Sequence, residues 1–157
     1  MSQRKHLYLG KGGELFVMSE FLARGWNVAM PQVDVGDDIF VVEDNQGIFQ
    51  RVQVKTGQAR MKAEGYSVQF KLSLKALQTS VGENLHFVFV TRKLEEWADI
   101  LIIRRKVLAD FYENYRSSLS SNQDLILYFS FKDKNITCSG MDFTPYLKNF
   151  TDFPIII

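Results

Sequence analysis

Apolar residues along this chain fall into short blocks whose spacing alternates between helical and extended periods. Glu14, Val17, Met18, Phe21 and Leu22 recur at helical spacing, so residues 14–24 are predicted to form a helix with these side chains on one face. Gly25 stands where such a helix closes, and Gly10-Lys11-Gly12-Gly13 reads as a flexible entry to it. Trp26-Asn27-Val28-Ala29-Met30 is a short strand ended by Pro31, and residues 38–43 form the next strand. Asp44-Asn45-Gln46-Gly47 is turn chemistry, after which residues 48–55 return as a strand. On that strand Ile48, Gln50, Val52 and Val54 face one way, whereas Phe49, Arg51, Gln53 and Lys55 face the other.

Farther along, residues 57–65 are a polar loop, and Tyr66, Val68, Phe70 and Leu72 alternate as a strand ahead of a short helix over 73–79. The continuous apolar run 85–90 is that of a buried strand. Residues 99–104 form another strand, followed by a helix through Val107, Leu108, Phe111 and Tyr115. Residues 125–131 and 135–138 suggest a hairpin, and 144–150 a last short helix before Pro154 and an apolar tail. A helix, a strand, a hairpin and then further helices and strands give an α/β or α+β fold around a central mixed β-sheet flanked by helices. With 157 residues, this is one domain: a core over about 10–110 and a C-terminal hairpin and helix extension over about 111–157.

Composition narrows the class. Hydrophobic residues make up 46% of the chain and charged residues 24%, as in a globular protein. Ile100-Leu101-Ile102-Ile103 is far too short to cross a bilayer, and no signal-peptide core follows the N-terminus, so a cytoplasmic protein is expected. The single Cys138 excludes a disulfide framework or a cysteine-based zinc site. With 19 Lys and Arg against 18 Asp and Glu, the protein does not coat nucleic acid by net charge. The charge is uneven, however: Arg51, Lys55, Arg60, Lys62, Lys71 and Lys75 are accompanied between 51 and 75 by Glu64 alone. Arg51, Arg60, Lys62, Lys71 and Lys75 are therefore candidates for a phosphate-facing surface, against the commoner role of a solvated face.

The candidate chemistry lies where two strands meet. Asp38 opens one strand, and Gln53 and Lys55 end the other in phase, so the hairpin allows all three to converge. A carboxylate, a neutral oxygen donor and an ammonium group suit metal-assisted phosphodiester cleavage. Magnesium accepts a few hard oxygen ligands and keeps several waters, so Asp38, the Gln53 amide oxygen and the Val54 carbonyl would suffice, with Glu14 reaching the ion directly or through water. Lys55 would orient the attacking water or neutralise charge on the phosphate. Taken singly, each residue has a plainer role: Asp38 or Asp37 caps a turn, Glu14 favours a first helical turn, and Gln-x-Lys is common on exposed strands. His6 and His86 are badly placed for nucleophile activation. Gly10-Lys11-Gly12-Gly13 lacks the spacing of a phosphate-binding loop.

The stretch Gly13-Glu14, Gly25-Trp26, Asp34-Val35-Gly36-Asp37-Asp38 and Gln53-Val54-Lys55-Thr56 resembles the PD-(D/E)XK nuclease superfamily, in particular Mrr-type members with a glutamine in place of the second acid. The resemblance implies a restriction-endonuclease-like core and a magnesium-dependent endonuclease, with manganese able to substitute, acting on DNA as a homodimer. By motif, Glu14 matches the first-helix glutamate, Asp38 the metal-binding aspartate and Lys55 the catalytic lysine, while Gln53 stands at the second acidic position. The neutral Gln53 keeps an alternative open: a nuclease-like module that binds nucleic acid or a protein partner without cutting. A third reading is an immunity-type protein using its apolar C-terminal segment as an interface.

Overall fold

The computed structural model describes residues 2–33, 36–78, 84–115 and 124–157. Asp34 and Val35 of the motif, Thr79 at the end of the expected second helix, and the Tyr115 side chain lie outside the described residues.

Helix α1 spans Gln3–Ala23 and begins far ahead of the expected start at 14. Ser2 caps it, its hydroxyl accepting from the Lys5 amide at 3.3 Å. The glycine run expected to be a flexible entry lies inside this helix. The reason is close packing: a Cβ on Gly13 would fall 2.0 Å from Thr56 Oγ1, and one on Gly12 would fall 3.3 Å from the Trp97 ring. Glycine weakens a helix interior by about 1 kcal/mol each, but only glycine lets this helix lie so near the sheet. The buried line is Gly13, Val17 and Phe21, so the apolar face is narrower than expected and Leu22 is exposed.

Strands β1 (Asn27–Ala29), β2 (Ile39–Glu43), β3 (Ile48–Gln58), β6 (Leu85–Lys93) and β7 (Glu96–Arg104) form a mixed sheet in the order β1-β2-β3-β6-β7. Among its pairings β3–β6 is parallel and the others are antiparallel. The crossover from β3 to β6 carries β4 (Arg60–Met61), β5 (Tyr66–Ser73) and helix α2 (Leu74–Gln78). A second, antiparallel sheet runs β10-β9-β8-β5-β4, with β8 (Asp124–Lys132), β9 (Asn135–Cys138) and β10 (Met141–Asp142). Helix α3 (Arg105–Tyr115) follows β7. Strand β3 continues through Gly57, which was expected to start a loop. A Cβ there would meet Val68 Cγ1 at 2.3 Å, so glycine permits β5 to cross close behind the strand.

The result is three layers. Val52, Val54, Val88, Val90, Ile100 and Ile102 on one face of the mixed sheet pack on Val17 and Phe21 of α1. Phe87, Phe89, Leu101 and Ile103 on the other face pack on Phe70, Leu127 and Phe129 of the second sheet. The helix expected over 144–150 is only a 3-10 turn, Thr144–Tyr146, containing Pro145. Beyond it the chain runs along β7, where the Lys148 amide donates to the Ile100 carbonyl at 2.8 Å, and Phe150 and Phe153 enter the α1 core. Burial of these two rings against the sheet outweighs local helical preference. No described helix is long and apolar enough to cross a membrane.

Candidate active site

The β2–β3 hairpin sets the register that the site depends on. Ile39 pairs with Val52, so Asp38, one residue before β2, stands across from Gln53. The Asp38 amide donates to the Val52 carbonyl at 2.9 Å, and its Oδ2 accepts from the Val54 amide at 2.6 Å. The carboxylate is thereby fixed against the backbone of β3 between Gln53 and Lys55.

Gln53 is only 8% exposed, and its Oε1 is buried without a hydrogen-bond partner. A buried polar atom left unpaired costs about 1–3 kcal/mol, and beside a carboxylate such an atom is open to a bound cation that would offset the cost. An acceptor-only oxygen beside a fixed carboxylate is the donor set of a small hard cation, and magnesium is such a cation. Glu14 is the further carboxylate expected to contribute. It is mostly buried, 18% exposed, and forms a salt bridge to Lys11 one turn back along α1. Asp38, Gln53 and the Val54 backbone are thus brought together, while Glu14 is held by a lysine of its own helix.

Lys55 follows Gln53 in phase. No ion pair engages it among the described residues, and it lines an open cleft of about 710 Å³ between the N-terminal half of α1, the end of β3 and the β4–β5 edge. Of the expected phosphate-facing residues, Arg60 and Lys71 line this cleft. Arg51 is turned to Asp37, with Nη2 2.6 Å from a carboxylate oxygen; Asp37 is 4% exposed, so this pair braces the approach to Asp38. Lys62 and Lys75 are exposed and do not line the cleft. Lys5 and His6 do line it, and neither was expected. Their signal was the run Arg4-Lys5-His6 with no acid before Glu14, which acquires meaning only when the helix is known to reach back to Gln3.

A second polar cluster lies elsewhere. His86, 2% exposed in β6, has Nε2 2.8 Å from Asp152 Oδ2, and Arg104 Nε donates to the same oxygen at 2.6 Å. The Arg104 hydrogen bond holds the Asp152 carboxyl down at about 2, and burial lowers the His86 pKa. His86 is therefore a hydrogen-bonded core residue. Burial raises the Cys138 thiol above its ordinary value, which leaves it inert.

Among solved structures the chain is similar to that of a bacterial homing endonuclease, I-Ssp6803I, with 18% identity and a TM-score of 0.54, covering 91% of this chain and 86% of that one. At that identity the likeness speaks to the fold, which is restriction-endonuclease-like. A search of curated proteins finds no match. A family model described as PD-(D/E)XK endonuclease matches residues 4–93, a span that contains α1, Asp38 and the whole of β3. The chain belongs to the PD-(D/E)XK endonuclease family.

Proposed function

We propose that this protein is a magnesium-dependent endonuclease that hydrolyses phosphodiester bonds in DNA, acting as a homodimer because one such site cuts one strand. Asp38, the Gln53 amide oxygen and the Val54 carbonyl would hold the ion, with Glu14 contributing directly or through water. Manganese would substitute. When bound, the ion supplies Lewis-acid polarisation of the phosphate and a water of lowered pKa. The chain supplies the rest. Val54 N–H fixes the orientation of Asp38, and the Asp37–Arg51 pair braces the strand entry. Lys55 offers a mobile point charge that orients the attacking water and neutralises charge building on the phosphate oxygens.

The observation that carries this reading is the orphaned Gln53 oxygen on β3, at the position across from the fixed Asp38 and two residues before Lys55, a cleft-lining lysine that no ion pair engages among the described residues. The test is incubation with plasmid and magnesium or manganese. Nicking is expected, with chelator, Lys55→Ala and Asp38→Ala each abolishing it. Activity that survived both substitutions would refute the site assignment. A nuclease-like module that binds without cutting is the second reading. It is favoured by the neutral Gln53 and because, among the described residues, no group of three His, Cys, Asp or Glu converges on one point. Salt-sensitive DNA binding without any metal-dependent rise in melting temperature would select it.

A further inference from the structure

The cleft beside Lys55 has a wall that the family motif does not involve. Residues 2–8 of α1 are all exposed, Leu9 and Gly10 are half-buried, and the first buried position is Gly13. The start of the helix therefore stands clear of the sheet over about 12 Å, at 1.5 Å per residue. This arm carries Arg4, Lys5 and His6 and no acid, whereas Lys11 just beyond it is paired with Glu14. Lys5 and His6 face into the cleft, which on its other sides presents Lys55, Arg60 and Lys71, and no carboxylate is among its lining residues. Lys71 also pairs with Asp124 at 2.8 Å, whereas Lys5, Lys55 and Arg60 have no counter-charge among the described residues of the cleft.

We infer that the α1 arm is the outer wall of a channel for duplex DNA, in which Lys5 and His6 contact backbone phosphates across from Lys55 and Arg60. The inference rests on the endonuclease reading and adds to it a substrate form and two contact residues. Cations spread over one helix and three strands around a cleft of about 710 Å³ suit a run of phosphates better than a single small anion. The cleft also offers little of what single strands require. Proteins that hold unpaired nucleic acid offer a series of ring faces on which bases stack. Among the described lining residues the one Phe, Tyr or Trp is Phe70, which is 3% exposed and committed to the core, where its ring meets Phe89 at 5.0 Å, so the His6 imidazole alone is left as an open ring face. Tyr8 is 69% exposed but does not line the cleft.

The test is binding of a labelled duplex and of its single strand in chelator, so that no cutting occurs, across a series of salt concentrations. Each lost phosphate contact lowers the slope of log affinity against log salt by about 0.9, and at about 0.1 M salt weakens binding roughly eightfold. Lys5→Ala and Arg60→Ala are each expected to show that loss, Lys5→Glu a larger one, and Lys106→Ala on α3 none, with helix content by circular dichroism unchanged in all four. The duplex should bind more tightly than the single strand. An unchanged slope for Lys5→Ala in a protein that binds and nicks DNA would overturn this inference and leave the endonuclease reading standing. Tighter binding of the single strand would overturn the duplex assignment. A wild-type protein that neither binds nor nicks would sink both.

Discussion

Replacing Gly13 with alanine sets two effects of known size against each other. In a helix exposed to solvent the change is favourable by about 1 kcal/mol, because glycine surrenders more backbone entropy. At this position the new methyl would sit 2.0 Å from Thr56 Oγ1 and 3.1 Å from both Thr56 Cβ and Cγ2. Rotating Thr56 brings either its methyl or its Cβ hydrogen to that place and leaves Cβ itself 3.1 Å away, among buried neighbours, so the helix must lift or β3 must move. Such overpacking costs typically about 1–3 kcal/mol. An approach as close as 2.0 Å belongs at the upper end, about 2–3 kcal/mol, so the net result after the helical gain is a loss of about 1–2 kcal/mol. For a chain of this size that lowers the melting temperature by about 2–8 °C. Gly10 provides the internal control, since nothing lies within 4 Å of its would-be Cβ. Gly10→Ala should therefore raise the melting temperature by about 2–4 °C. Thr56→Ala in the Gly13→Ala background should recover much of the loss, and at little expense, because Thr56 Oγ1 is buried without a partner. Thermal melts of the four proteins decide the matter. If Gly13→Ala stabilised the protein as Gly10→Ala does, α1 would not seat on β3 as described, and the placement of Glu14 would fall with it.

Three further outcomes are expected. Gln53→Glu puts a second carboxylate across from Asp38; at a cross-strand spacing of about 5 Å and an effective dielectric of about 20, repulsion destabilises the metal-free protein by up to about 3 kcal/mol. Magnesium should restore that loss, and a variant as stable as wild type in chelator would show that the two groups do not share a site. Stability should fall on acidification in two steps. Neutral His86 is favoured by the fold, so its contribution is complete above its ordinary 6.5 and is lost as pH drops below it. Asp152, held at about 2 against an ordinary 3.8, adds stability above 3.8 that is lost as pH falls towards 2. Allowing for solvent around this partly exposed group, that second step is on the order of 1–2 kcal/mol, and Asp152→Asn should remove it from a series of melts against pH. Cys138, buried with its pKa raised, should react with a thiol reagent only at the rate of unfolding; fast labelling of the native protein would contradict its placement.

Much of the geometry of the candidate site was legible because strand phase is a local property. The alternation of Val52 and Val54 against Gln53 and Lys55, with a turn at Asp44-Asn45-Gln46-Gly47, gives the hairpin register without any tertiary information, and Asp38 follows from it. The start of α1 was not legible, because three glycines within four residues signal a loop by every local rule. What requires glycine inside the helix at Gly12 and Gly13 is the close approach of the Trp97 ring and the Thr56 hydroxyl, more than forty residues away in sequence, and no such contact is needed at Gly10. The same misplacement hid Lys5 and His6. The segment after Tyr146 failed for a related reason: Leu147, Phe150 and Phe153 are spaced like a helix face, yet their burial is supplied by β7 and α1 in an irregular chain. Arg51 looked like one more member of a basic stripe until Asp37, invisible as a partner from sequence, claimed it.

The parallel pairing of β3 with β6 has a kinetic corollary. Gln53 aligns with Phe87 and Lys55 with Phe89, so the strand bearing both polar groups gains its second neighbour only after the crossover from Gln58 to Leu85 has closed. That crossover itself contributes β5, whose partner β8 lies farther still along the chain. Non-local pairings of this kind slow the search for the native state. Recovery of catalytic competence during refolding should therefore track the last, sheet-forming phase rather than the early appearance of helix.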